Sequence, residues 1–181
     1  MSKEFAARRL DVKAFAEERA HLHGEQPLRE HARLMAETEG RGAGSAVHWS
    51  AIGELRNPRH VHPEIWVHLR SDAILPLTCQ RCLLPVDVPV SVDRSFRFVP
   101  DEATAATQDE QSEEDVLVLS RSLDLVELVE DELLMELPLA PRHEACPEPL
   151  KSTVADEDFE EASARRENPF AQLGKLKSGK S

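Results

Sequence analysis

The sequence predicts an α+β fold: an N-terminal helical pair, an antiparallel sheet, one long acidic covering helix, and a disordered C-terminal tail with a short terminal helix. Three observations predict it. Apolar residues recur at helical spacing before Ser45 and alternate after it. Three long alternating runs then follow one another with short turns and no crossover helix, which implies antiparallel pairing. One strongly amphipathic stretch, Ser122 to Leu137, follows them.

The elements are justified in order. Asp11 to His21 reads as a helix, with Asp11 as N-cap, Val12, Phe15 and Ala16 on one face, and Gly24 beyond it. Pro27 suits the first turn of a second helix, with Leu28, Ala32 and Met35 on one face and Gly40 at its end. Gly40, Gly42 and Gly44 form a loop. Ser45 to Leu55 is the first strand. Pro63 to Thr78 is the second, where Ile65, Val67 and Leu69 alternate with Trp66, His68 and Arg70. Pro85 to Val99 is the third: Val86, Val88, Val90, Val92, Phe96 and Phe98 share a face that only Arg94 interrupts. Pro89 has no donor and belongs away from the ladder or at a bulge. Asp101 to Asp115 holds seven acids and no base, and reads as a solvated loop. Val116 to Leu119 is a short returning strand.

In the helix Ser122 to Leu137, Val126, Val129, Leu133 and Leu137 make the stripe, and Asp124, Glu127 and Asp131 the opposite face. Ser122 is its candidate N-cap, and Pro138 stops it. Residues 1–146 thus form one domain, with the acidic loop at 101–115. Residues 147–167 form a disordered acidic linker. Residues 168–181 form a short basic helix and tail, in which Asn168 caps, Pro169 starts, and Phe170, Leu173 and Leu176 recur at helical spacing. Such a segment reads either as a docking motif or as a tail that folds back.

Composition bounds the function. The 181 residues carry 22 Lys and Arg against 34 Asp and Glu, a net charge of −12. Up to Phe98 there are 14 basic and 13 acidic residues, which leaves 8 basic and 21 acidic after it. Global acidity argues against non-specific nucleic-acid binding, while leaving room for a local basic patch. Solubility is the plainer reason for it. Aromatic residues are 4% and tyrosine is absent, so the core is aliphatic. No apolar run approaches the roughly 20 residues of a bilayer span. Met1 to Leu10 has mixed charge and no apolar segment, unlike a secretory signal. Three cysteines argue for a reducing cytoplasm rather than a disulfide framework.

The sharpest motif is Cys79-Gln80-Arg81-Cys82 at the turn between two strands. Two thiols at this spacing can share a tetrahedral metal. His143 and Cys146, with 60 residues between the two halves, complete a Cys₃His set suited to zinc. The fold would then have to bring the end of the long helix beside the hairpin turn. A redox pair is the rival reading, but it belongs at a helix N-terminus, where the dipole lowers the thiol pKa. The plainest reading is that the thiols only tighten a turn. A second cluster, Arg56, Asn57, Arg59, His60 and His62, lies in a loop stiffened by Pro58 and Pro63 and can present donors to phosphate. With Arg70, Arg81, Arg94 and Arg97 it outlines a basic sheet face; ordinary exposed polar residues are the alternative. Phe170, Leu173, Lys175 and Lys177 are candidate partner contacts at the C-terminus. Signatures such as GxGxxG, a phosphate loop, GxSxG and HExxH are missing, so an enzyme is not expected.

Four blocks together resemble a known family. They are Cys79-Gln80-Arg81-Cys82-Leu83; Asp124-Leu125 through Val129-Glu130-Asp131-Glu132-Leu133-Leu134; Leu137-Pro138-Leu139-Ala140-Pro141-Arg142-His143; and Asn168-Pro169-Phe170-Ala171-Gln172-Leu173 with Lys175-Leu176-Lys177. In this order the chain resembles the YceD family from its first helix to its C-terminus. These are bacterial and plastid proteins implicated in accumulation of large-subunit ribosomal RNA. The resemblance implies a role in synthesis, processing or stability of 23S ribosomal RNA, with no defined catalytic residues. It also implies 23S rRNA or large-subunit ribosomal proteins as partners, rather than a membrane or a small-molecule substrate. In other branches of the family a second cysteine group follows the helix, where this chain has His143 and Cys146.

Overall fold

A computed structural model describes residues 4–148 apart from 110 and 113. It divides into two units, residues 1–145 and residues 146–181, and the elements below all belong to the first. Nearly all of the expected linker 147–167, and the whole expected helix with Phe170, Leu173, Lys175 and Lys177, lie outside the described residues.

The fold is α+β, built on one five-stranded mixed sheet in the order β1-β2-β3-β4-β5. Strands β1 (His21–Pro27), β2 (Ala46–Arg56), β3 (Glu64–Thr78) and β4 (Pro85–Val99) form an antiparallel meander. Strand β5 (Asp115–Val118) lies parallel to the end of β4. The alternation legible in the sequence sets the faces. In β3, Ile65, Val67, Leu69, Ala73, Leu75 and Leu77 are buried on one side, with β2 Val47, Trp49 and Ala51 and β4 Val90, Val92, Phe96 and Phe98 beside them. Pro89 pairs with Ile74 where β5 does not reach, so its missing N–H leaves no ladder bond unmade.

Among the described residues, four short helices accompany the sheet. Helix α1 (Val12–Glu17) is capped by Asp11, whose carboxylate accepts from the Ala14 N–H at 3.1 Å. Phe15 is fully buried, and its carbonyl oxygen sits only 2.5 Å from where a Cβ on Gly53 would be, so α1 rests directly on β2. The helix expected to reach His21 stops at Glu17, because the chain turns through Arg19 at φ 47°. His21 then opens β1, a strand that the sequence reading placed in a helix and its following loop. Its residues alternate weakly and carry a single large apolar side chain, Leu22. Gly24 lies in this strand because the Trp49 indole occupies the space of a Cβ, at 2.5 Å.

Two further expectations are corrected. The segment read as a solvated loop contains α3 (Glu102–Asp109), where the Asp101 carboxylate accepts from the Thr104 N–H and Ala105 packs with Val99 and Val116. This helix is the crossover that makes β5 parallel rather than returning. Helix α4 (Leu125–Met135) starts later than expected: Asp124, not Ser122, is the N-cap, and accepts from Val126 and Glu127 N–H at 3.0 and 3.1 Å. Its Leu125, Val129 and Leu133 are buried in the same core as the inner sheet face. Arg94, the one break in the apolar face of β4, meets Glu132 and Glu136 of α4 at 3.8 and 3.0 Å.

Between them runs α2 (Ala32–Glu37), preceded by a 3-10 turn at Leu28–Glu30. His31 at its N-cap offers no side-chain cap. Glu130 of α4 does this instead. Its carboxylate accepts from the Arg33 N–H at 2.7 Å and the Leu34 N–H at 3.1 Å, and pairs with the Arg33 guanidinium at 3.3 Å.

Candidate metal centre

Antiparallel strands β3 and β4 need a turn between Thr78 and Pro85, and the Cys79–Leu84 segment makes it. The Cys79 N–H donates to the Leu84 carbonyl, and the Leu83 N–H to the Cys79 carbonyl, both at 2.9 Å. Closing this turn forces Leu83 to φ 61°, a conformation more usual for glycine, and leaves its side chain 72% exposed. An apolar side chain held in solvent on a strained backbone marks a turn whose shape is set by something other than Leu83 itself.

What the turn shapes is a sulfur pocket. Cys79 is fully buried and Cys82 half-buried. After α4 the chain passes Pro138 and returns to the turn, where the Gln80 N–H donates to the Pro141 carbonyl at 2.8 Å. That bond delivers His143, whose Nδ1 lies 3.4 Å from the Cys82 sulfur. The ligand atoms of Cys79, Cys82 and His143 all lie within 4.8 Å of one another. Burial alone would push the Cys79 thiol up, but backbone N–H groups of Cys82, His143 and Arg81, with the Cys82 side chain, outweigh it and hold the pKa down at about 5. The expected convergence of the hairpin turn with the segment after the long helix is therefore present for these three residues. Cys146, the fourth expected ligand, is the first residue of the second unit.

A family model described as large ribosomal RNA subunit accumulation protein YceD matches residues 67–177. The chain belongs to the YceD family. The match begins inside β3, later than the resemblance read from the sequence, and takes in the cysteine turn, α4 and His143. No solved structure matches the chain.

The other site residues of this YceD-family chain are dispersed. Arg56, Arg59 and His60 sit at or beyond one end of the β2–β3 hairpin, while Arg81 lies at the opposite end of β3, a strand of 15 residues and so roughly 45 Å long at about 3.3 Å per residue. Arg56 lies 4.1 Å over the Trp66 ring and pairs with Glu54 at 3.1 Å. The same carboxylate meets His68 at 2.6 Å, and these hydrogen bonds from Arg56 and His68 hold Glu54 below its ordinary pKa. Arg70 pairs with Asp93 at 3.1 Å, and Arg97 donates to Gln108. Arg94 projects to the opposite face, toward α4. On the outer face of the sheet, Arg56 and Arg70 are therefore matched by acidic partners and Arg97 by the Gln108 amide.

Sequence reasoning missed Glu130, which links α4 to α2. A signal was present: Glu130 stands in the apolar stripe of α4, between Val126 and Leu133, yet is only 8% exposed. Glu132 is buried too. Burial first, then the nearby Asp115 charge, raises its pKa against the pull of Arg94.

Proposed function

We propose that this chain is a non-enzymatic factor in biogenesis of the large ribosomal subunit, supporting synthesis, processing or stability of 23S rRNA. The observation that carries the reading is the YceD family match across residues 67–177. Among the described residues, no helix is long and apolar enough to cross a membrane. The charge pattern favours an adaptor over a phosphate-clamping RNA binder. Arg56 and Arg70 each already have an acidic partner, and neutralising phosphates requires unpaired cations. The net charge of −12, concentrated after Phe98, suits the holding of a basic large-subunit ribosomal protein. Arg59, His60 and Arg81 remain the candidate rRNA contacts at the two ends of the sheet. The segment 168–177, with Phe170, Leu173, Lys175 and Lys177, is the proposed docking motif.

Crosslinking in cells, followed by identification of bound RNA and protein, tests the partner. Recovery of large-subunit ribosomal proteins or 23S rRNA above a tagged control supports the proposal. Deleting the gene should lower the ratio of 23S to 16S rRNA, and the full chain should restore it. An unchanged ratio in the deletion strain refutes the reading.

A further inference from the structure

We propose that two copies of this chain join through the open edge of β1, pairing His21 to Glu25 antiparallel with the same residues of the second copy to make one continuous sheet. The inference neither uses nor extends the ribosomal reading. It begins from an edge that the fold leaves unpaired. Strand β1 is the outermost of the sheet, and β2 is the one strand bonded to it among the described residues.

The register with β2 decides which backbone groups are open. At the two ends of β1, the Leu28 N–H donates to the Ser45 carbonyl at 2.8 Å and the Gly53 N–H to the Ala20 carbonyl at 2.9 Å. Bonded and unbonded pairs alternate along an antiparallel ladder, so Leu22, Gly24 and Gln26 turn their backbone groups toward β2. His21, His23 and Glu25 turn theirs away, and no described group outside the sheet bonds them. Edge strands are commonly protected by lysine, proline or a bulge. The stretch of β4 that β5 leaves uncovered carries Pro85 and Pro89, together with Asp87 and Asp93. Between His21 and Gln26 there is no proline, lysine or arginine, and the pairing with β2 runs without a bulge.

The strand's own side chains name a second copy as the occupant. With a two-fold axis at His23, His21 faces Glu25, His23 faces His23, and Leu22 faces Gly24. Three bonded pairs, with two hydrogen bonds in each, then satisfy every open N–H and C=O of His21, His23 and Glu25. Pro27, which has no N–H, is not needed. An axis moved to Gly24 sets His21 against Pro27 and leaves the His21 carbonyl without a donor. A neutral imidazole has one N–H and one acceptor nitrogen, so His21 can donate to Glu25 and the two His23 rings can bond each other. Within its own chain Glu25 meets His48 at 3.6 Å through one oxygen, which leaves the other for His21 of the second copy. On the inner face the Trp49 indole fills the space of a Cβ on Gly24, and the half-buried Leu22 of the second copy comes beside it.

Charge permits the approach. A net charge of −12 per chain, evenly spread, would hold two copies apart. Strand β1 carries Glu25 as its single formal charge. The acids of α3 and β5 lie at the opposite edge of the sheet, four strand spacings away, roughly 19 Å at about 4.8 Å each. That exceeds the Debye length of about 8 Å at physiological ionic strength, so their repulsion across the joint is largely screened.

The test uses the full chain. Sedimentation equilibrium over roughly 1–500 µM should show the mass doubling, a wide range because so short an edge belongs with the small interfaces, below about 1,200 Å². Amide exchange at His21, His23 and Glu25 should slow as the dimer forms. His23→Pro removes the two central bonds and none to β2, because the His23 N–H faces away from that strand. It should raise the dimer dissociation constant about tenfold or more, with an unchanged circular dichroism spectrum. His21→Glu sets two carboxylates face to face and should weaken the dimer. Adding Glu25→Lys should restore it, a rescue that stands whether or not His23→Pro folds. Wild-type chain that stays monomeric to the top of the concentration range overturns the proposal. So does a folded His23→Pro variant that dimerises as well as the wild type, or a failure of Glu25→Lys to rescue His21→Glu. A chain ending at Glu167 that stays monomeric would give the contact to residues 168–181 and overturn the β1 pairing.

Discussion

Glu130→Ala tests whether a single buried carboxylate couples two helices almost one hundred residues apart. In the wild type one carboxylate oxygen accepts from the N–H groups of Arg33 and Leu34, at 2.7 and 3.1 Å. These are two of the orphan donors of the first turn of α2, and the N-cap residue His31 offers them no side-chain acceptor. Glu130 is 8% exposed and Leu34 fully buried, so water cannot replace the lost acceptor at the Leu34 N–H. A hydrogen bond to a charged group contributes about 1.5–3 kcal/mol, and a buried donor left unmatched costs about 1–3 kcal/mol. The Arg33 N–H is nearer solvent and recovers part of its loss by hydration. The expected destabilisation is therefore about 3 kcal/mol. For a unit of this size that lowers Tm by roughly 6–12 °C, at about 2–4 °C per kcal/mol. Glu130→Gln retains one amide oxygen as acceptor and should lose about half as much. Glu127→Ala removes an exposed acid from the same helix and should stay within about 0.5 kcal/mol. Urea titrations followed by circular dichroism measure all three. Equal effects of Glu130→Ala and Glu127→Ala would refute the capping argument.

Other perturbations follow from the packing. Leu133→Ala removes a fully buried side chain of α4 and should cost about 2–5 kcal/mol in the same titration. Gly53→Ala places a methyl 2.5 Å from the Phe15 carbonyl oxygen and should cost about 1–3 kcal/mol, seen as a lower urea midpoint. Glu132 has a raised pKa in the folded state, so it binds its proton more tightly there than when unfolded. Its contribution is full below the ordinary value of 4.5 and is lost as pH climbs through the raised one. Glu132→Gln should therefore gain Tm relative to wild type as pH rises from 4 to 8; a difference independent of pH contradicts this. Removing residues after Glu167 should leave Tm within a degree or two and reduce co-sedimentation with pre-ribosomal particles. Normal co-sedimentation would show the segment to be dispensable.

The long strands were legible because their signal is local. Alternation over ten or more residues survives any choice of partner, and β4 was placed residue for residue at Pro85–Val99. The stripe of α4 was legible for the same reason, although its cap was not: Ser122 and Asp124 are both good caps, and the choice depends on where the preceding chain is held. Leu10 holds it, exchanging backbone bonds with Leu123 at 2.8 and 3.0 Å. The spacing of the cysteines and His143 was equally visible as a possible ligand set. Their convergence was not, because it depends on the direction in which the chain leaves α4.

Tertiary structure alone decided β1, α3 and the role of Glu130. His21–Pro27 carries too few apolar residues to declare itself a strand, and becomes one because the free edge of β2 supplies its hydrogen bonds. Glu102–Asp109 reads as solvated because only Ala105 needs burial, and Val99 and Val116 supply it from two strands. The acid in the stripe of α4 looked like an interruption until α2 presented two N–H groups to it. The sequence by itself determined which segments could be strand or helix, since side-chain period is a property of neighbours along the chain. Where each unsatisfied backbone or carboxylate group finds its partner is a property of neighbours in space, and only the assembled fold decided that.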